Sequence, residues 1–129
     1  MSKLVSIIIR TKNEERWVAC CLRAVFRQSY KNIEVVVVDN NSTDRTIERA
    51  KQFPIKLVTI DDFLPGKAIN DGIRASTGEY IVCLSAHCIP VNNFWIENLI
   101  EDLNNTKVAG IYGRQEPLSF SSDIDKRDL

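Results

Sequence analysis

At 129 residues the chain fits one domain with a real core, and its 44% hydrophobic and 26% charged composition excludes a disordered or fibrous chain. Seventeen Lys and Arg balance seventeen Asp and Glu, so no global field draws in nucleic acid or an acidic membrane, and nucleic acid is not an expected partner. No apolar run reaches the length of a bilayer span, and the start MSKLVSIIIR is not built like a signal peptide, because its short apolar part is interrupted by Ser6. Cys20, Cys21, Cys83 and Cys88 match neither a zinc module nor a small secreted scaffold, so reduced thiols in a cytoplasmic protein are expected.

Leu4 to Ile9, rich in β-branched residues, predicts the first strand, with Arg10 to Asn13 as its exit. Asn13 is placed to cap a helix opening with Glu14 and Glu15, whose charges suit its positive end. Trp17, Cys21 and Val25 recur every four residues as a core-facing stripe that runs to about Gln28, and adjacent Cys20 and Cys21 then point to different sides. Ile33 to Val38 is the second strand; its four valines are apolar on both faces, as a central parallel strand covered by helices must be. Ser42 to Asp44 cap a second helix with Ile47, Ala50 and Phe53 inward, closed by Pro54.

Ile55 to Ile60 predicts a third, alternating strand with Ile55, Leu57 and Thr59 on one face. Gly66 opens a third helix carrying Ala68, Ile69, Gly72, Ile73 and Ala75, and Gly78 ends it. Tyr80 to Leu84 reads as another buried strand. Asn92 or Asn93 caps a fourth helix with Trp95, Ile96, Leu99, Ile100 and Leu103 as its stripe, and Val108 to Tyr112 is a short last strand. Beyond Gly113 the sequence is polar and loses its period, so residues 1–113 read as the domain and 114–129 as a tail or connector. Strands alternating with helices predict a three-layer α/β/α sandwich on a mainly parallel sheet, with right-handed crossovers.

Three strand ends carry polar or titratable groups where their apolar runs stop: Arg10 to Glu14, Asp39 to Asp44, and Ser85 to Cys88. In an open parallel sheet these ends converge on the carboxyl edge, where such folds bind ligands. No GxGxxG follows the first strand and no GxxxxGK[ST] occurs, which removes a dinucleotide fingerprint and a phosphate loop. A receiver-type acidic pair is absent, because Arg10, Thr11 and Lys12 stand at the first strand's end, and no GxSxG elbow partners His87.

SIIIRTKNEE, VVVVDNNSTD and GKAINDGIRASTGEYIVCLSA together resemble the nucleotide-sugar-binding half of family 2 glycosyltransferases of the GT-A, Rossmann-like fold, of the bacterial polysaccharide-synthesis type. The resemblance covers about residues 4 to 113. It implies that Thr11 and Glu14 border the nucleobase and ribose, with Asn13 and Asn41 beside them, and that Asp39 accepts from the ring N–H of a uracil or similar base. An ionised carboxylate is acceptor-only and suits an imide donor. Ser42 and Asp44 are expected to act as helix caps. Asn70 lies in the helix flanking the diphosphate; Ile69 stands where the family often has arginine, so Lys67 or Arg74 supplies the charge. Where the family carries Asp-x-Asp for ribose and a divalent ion, this chain has Ser85, Ala86 and His87. Ser85 still suits a ribose hydroxyl. His87 is read as a ligand of manganese or magnesium, with a direct bond to diphosphate and a structural role as the alternatives. Asp61 and Asp62 read as a solvated loop.

The resemblance implies the donor-binding part of an inverting glycosyltransferase, taking a UDP-type or similar nucleotide-sugar and a carbohydrate or lipid-linked acceptor, in the cytoplasm or peripheral at the inner face of the membrane. The general base is expected beyond residue 129, because Glu116, Asp123, Asp125 and Asp128 lack a persuasive motif. The alternative is a non-catalytic nucleotide-binding or interaction module. Leu118, Phe120 and Ile124 would either drive homo-oligomer formation or leave the tail disordered.

Overall fold

The computed structural model describes residues 2–61, 64–105, 107–113 and 115. It divides into two compact units, Met1–Ile96 and Glu97–Leu129, and every strand belongs to the first. In chain order the elements are β1 (Val5–Thr11), α1 (Val18–Phe26), β2 (Ile33–Asp39), α2 (Thr46–Ala50), β3 (Lys56–Thr59), α3 (Pro65–Arg74), β4 (Tyr80–Ser85) and α4 (Trp95–Leu103).

The strands pair in parallel in the order β3-β2-β1-β4, so the two most apolar strands take the centre. Right-handed crossovers decide the layers. The chain steps from β1 to β2 to β3 in one direction, which puts α1 and α2 on one face, where they touch each other. The return from β3 to β4 passes over the whole sheet and puts α3 on the other face, against β1 and β2. The result is the expected three-layer parallel sandwich.

Pleating then sorts the side chains. Ile7 and Ile9 pair with Val35 and Val37, and all four are buried on the α1/α2 face. Ile8, Val36 and Val38 form the opposite core with Ile60 and Ala68. Gly72 lets α3 sit close to that face: a Cβ there would lie 2.5 Å from Ile8 Cγ2 and 2.9 Å from Val38 Cγ2. Both neighbours are stiff β-branched side chains. Gly72→Ala should therefore destabilise the fold by about 1–2 kcal/mol despite its better helix propensity, as overpacking does. A variant at least as stable as the parent in urea denaturation would contradict this packing.

The amino edge is closed around Glu34. Its carboxylate accepts from Ser6 Oγ at 2.5 Å, from the Thr77 and Gly78 N–H groups, and from Lys56 Nζ at 3.2 Å. Burial works against its charge, yet the bonds from Ser6, Thr77 and Lys56 outweigh it and bring the carboxyl down to about 2. Gly78 is needed here for close approach. Its φ is not positive, but a Cβ would fall on the Ser6 hydroxyl and 2.7 Å from Ser6 N.

Several expectations are corrected. Gly78 does not end α3, which stops at Arg74. Asn13 does not cap α1: the chain turns first, Val18 N bonds to Glu14 O, and the helix begins at Val18 with no side-chain cap. Its buried stripe is Val18, Cys21, Leu22 and Val25, while Trp17 is half-buried. Val58 on β3 and Ile60 just after it join the core, whereas Thr59 is exposed. On β4 only Val82 is buried, because it is an edge strand and α3 packs chiefly on β1 and β2; Ile81 and Cys83 are exposed. α4 receives a cap from outside itself: Gln28, at the buried end of α1, accepts from Ile96 N at 3.1 Å and donates to Asn92 O at 2.6 Å, while Asn92 Oδ1 takes the Phe94 N–H at 2.8 Å. In the second unit, 108–112 is not a strand. Val108 N closes a turn on Asn105 O, and no ladder partner stands beside it among the described residues.

Cys20 is exposed and Cys21 buried, as their adjacency on a helix requires. Burial pushes the Cys21 thiol up to about 12. A thiol reagent should modify Cys20 in the native protein while sparing Cys21; equal labelling of the two by peptide mass spectrometry would contradict this orientation of α1.

Candidate functional site at the carboxyl edge

β1 and β2 end in register, Thr11 beside Asp39. Asp39 is 0% exposed and its carboxylate is held on both oxygens: Thr11 Oγ1 donates to Oδ1 at 2.6 Å, Ser42 Oγ to Oδ1 at 2.6 Å, and Ser42 N to Oδ2 at 2.8 Å. A carboxylate has about four acceptor positions, so about one remains, on Oδ2. Ser42 thus brackets Asp39 and does not cap α2; of the two expected caps, Asp44 takes the N–H of Thr46, the first residue of α2.

The loops after β1 and β2 are sewn to each other. Asn13 N donates to Ser42 Oγ at 2.8 Å, and Thr43 N donates to Asn13 Oδ1 at 2.8 Å. Glu14 N donates to Thr46 Oγ1 at 2.7 Å and Glu15 N to Asp44 Oδ2 at 3.2 Å. Asp44 also accepts from Thr46 N at 2.9 Å. Its burial opposes ionisation, but the bonds from Thr46 and Glu15 prevail and lower its pKa. Asn13 (φ 51°) and Asn41 (φ 52°) take the left-handed conformation that asparagine tolerates best among non-glycine residues. Lys12 Nζ reaches Asn41 O at 3.2 Å.

The exit of β4 completes the edge. Arg10 Nη2 donates to Ser85 Oγ at 3.4 Å, and Ala86, fully buried, donates its N–H to Arg10 O at 3.3 Å. His87 Nδ1 lies 3.0 Å from Glu14 Oε1, with side chains 59% and 20% exposed. Burial first, then the Glu14 charge, raise the neighbouring Cys88 thiol against the pull of Arg10. Among the described residues no three His, Cys, Asp or Glu side chains are grouped to hold a metal.

Thr11, Asn13, Asp39 and Asn41 are therefore brought together, with Glu14 joined to His87 and Ser85–Ala86 alongside. Lys67 and Asn70 lie exposed on α3, outside this bonded cluster. Lys67 is in the turn that starts at the carboxyl edge. Arg74 is excluded as the source of charge, because it ends α3 at the amino edge, paired with Asp71 at 3.1 Å. Asp61 is exposed; Asp62, Glu116 and the residues from Leu118 onward lie outside the described residues. Two side chains that shape this half of the molecule were not singled out by sequence reasoning. Arg10 could have been found as a cation on the pleat of Ile8 at a buried strand's end. Gln28 acts only through contacts distant in sequence, which leave no local signal.

The model of the glycosyl transferase family 2 matches residues 6–126. Dolichyl N-acetyl-alpha-D-glucosaminyl phosphate 3-beta-D-2,3-diacetamido-2,3-dideoxy-beta-D-glucuronosyltransferase of Methanococcus voltae is 32% identical over 138 aligned positions, covering 95% of this chain and 43% of that protein. UDP-Glc:alpha-D-GlcNAc-diphosphoundecaprenol beta-1,3-glucosyltransferase WfgD of Escherichia coli is 28% identical over 132, covering 95% of this chain and 50% of that protein. The mannosyltransferase PcManGT from Pyrobaculum calidifontis, solved with GDP-Man and Mn2+, superposes with a TM-score of 0.76 at 27% identity over 81% of this chain and 33% of that one. The chain thus spans half or less of the length of each. With a family match across nearly all of its residues and the parallel sheet in common with a solved glycosyltransferase, this chain belongs to glycosyl transferase family 2.

Proposed function

We propose that this chain forms the donor side of an inverting glycosyltransferase, binding a nucleotide-sugar at the carboxyl edge for transfer to a carbohydrate or lipid-linked hydroxyl in cell-surface polysaccharide synthesis. One observation carries the reading: the exits of β1, β2 and β4 form a single polar floor, Thr11–Asp39–Ser42 with Asn13 on one side and Glu14–His87 with Arg10–Ser85 on the other. Family relatives named for UDP-Glc and solved with GDP-Man support the ligand class.

In this reading the remaining acceptor position of Asp39 takes the ring N–H of the base once the Asn41–Ser42 turn moves aside, while Thr11, Asn13 and Asn41 line the base and ribose. Ser85 meets a ribose hydroxyl, and Lys67 and Asn70 border the diphosphate from α3. Inverting transfer needs a base to deprotonate the acceptor hydroxyl as it attacks the anomeric carbon opposite the leaving diphosphate. Asp39 is buried and held by Thr11 and Ser42, Asp44 is held by Thr46 and Glu15, and Glu14 is paired with His87, so that base is assigned outside this cluster, to the part of the family relatives' length that this chain does not span. For this chain on its own, the same observation favours nucleotide binding without transfer. No helix among the described residues is long and apolar enough to cross a membrane.

A divalent ion accompanies the nucleotide-sugar in the mannosyltransferase. The residues here do not fit one. Ser85 Oγ accepts from Arg10, Ala86 offers a buried methyl, and His87 is a lone nitrogen ligand where a hard ion prefers several oxygens. Calorimetry with UDP, GDP and their sugar conjugates tests the proposal: binding of at least one, competed by its nucleoside diphosphate, is expected. Absence of binding by all of them would refute it.

A further inference from the structure

We propose that Arg10 and His87 hold the donor's diphosphate as a metal-independent cationic clamp; this rests on the donor-site reading above. The two side chains come from adjacent strands and close the same edge. Arg10 lies on the pleat of Ile8, at the penultimate position of β1, with Ser85 as its register partner on β4. Its single bond to Ser85 Oγ, at 3.4 Å, is long and leaves most of the five guanidinium N–H donors for a phosphate, which that planar fork matches bidentately. The bond fixes the direction of the guanidinium without consuming it.

His87 is held in the complementary way. Glu14 takes Nδ1 at 3.0 Å, so Nε2 is the atom left to face the crevice on a ring that is 59% exposed. With the Glu14 carboxylate at Nδ1, Nε2–H is the ring donor that a phosphate oxygen meets, and Glu14 fixes the orientation of the ring. Glu14 faces this ring directly, and the next residue in the chain, Cys88, feels the charges of both Glu14 and Arg10. The strand exit therefore presents a guanidinium and an imidazole to a diphosphate where two carboxylates would present an ion. Replacing carboxylates by serine and histidine removes both the hard oxygen ligands and the need for an ion to bridge them to phosphate.

The test is calorimetric titration of this chain with UDP, GDP and uridine, in EDTA and in Mn2+. Nucleoside diphosphate affinity should agree within about twofold between the two conditions. Arg10→Gln should weaken diphosphate binding about tenfold in EDTA and leave uridine binding unchanged; Arg10→Lys should recover part of the loss, and His87→Gln should weaken it severalfold. The double variant Ser85→Asp/His87→Asp should acquire dependence on Mn2+. Binding that appears only with Mn2+ would overturn the clamp while leaving the donor site in place, as would undiminished diphosphate binding by both Arg10→Gln and His87→Gln. Failure of every nucleoside diphosphate in both conditions would overturn the donor-site reading, and the clamp with it. Unfolding profiles of each variant separate misfolding from loss of the clamp.

Discussion

Asp39→Ala is expected to weaken nucleotide binding by about 1–3 kcal/mol and, separately, to destabilise the fold by about 2–4 kcal/mol. The first effect follows from losing a charge-assisted acceptor for the base. The second follows from what Asp39 does without ligand. Among the described residues it is the acceptor of the Thr11 hydroxyl, and it holds the Ser42 hydroxyl and N–H through which the second loop is drawn onto the first. Alanine leaves those donors facing a buried void. Asp39→Asn separates the roles, because it retains the shape and one acceptor oxygen but replaces the other with a donor. It should recover much of the stability and little of the affinity, measured by urea denaturation and calorimetry on the same samples. Normal affinity in a destabilised Asp39→Ala protein would show that the residue is a bracket for the loops and does not read the base.

At the opposite edge, Glu34→Ala should cost about 3 kcal/mol, because Ser6, Thr77, Gly78 and Lys56 all lose one shared acceptor. The charge also gives a pH signature. The folded carboxyl sits at about 2, below its ordinary value of 4.5, so its contribution is fully present above about pH 4.5 and is lost as pH falls through about 2. Because the side chain is 15% exposed, the contribution is taken as about 2 kcal/mol, somewhat less than the full shift implies. The parent protein should therefore lose about that much more stability than Glu34→Gln between about pH 5 and about pH 2. Parallel pH profiles for the two proteins would show that Glu34 is not ionised at the centre of this edge.

The two edges differ in how far they could be read from the chain alone. The valines of β2, apolar on both pleats and stopping at Asp39, located a central strand and where it leaves the core, because burial on both faces has a direct compositional cost. The alternation of elements was enough for the layers, since crossover handedness does the rest. Residues whose role depends on partners far along the chain were misjudged. Gly78 looks like a helix stop, but its small size serves Ser6, 72 positions earlier in sequence. Ser42 looks like a cap, but its hydroxyl turns back to Asp39. The apolar run of β4 looks buried, but an edge strand has a neighbour on one side only, and Ile81 and Cys83 stay exposed. At the site, chemistry-bearing types were visible singly. Their pairing, Glu14 with His87 and Arg10 with Ser85, depends on β1 lying beside β4, an adjacency that skips the whole middle of the chain.

The central claim is that the carboxyl edge between β1, β2 and β4 binds the nucleotide of a sugar donor. Amide chemical shifts of the isotope-labelled chain during titration with UDP and with GDP test it most directly, because they report position as well as binding. Saturable shifts should concentrate at Thr11 to Glu14, Asp39 to Ser42 and Ser85 to His87, with the Glu34, Thr77 and Gly78 amides at the amino edge unmoved. No saturable shifts, or shifts centred on the amino edge, would contradict the account.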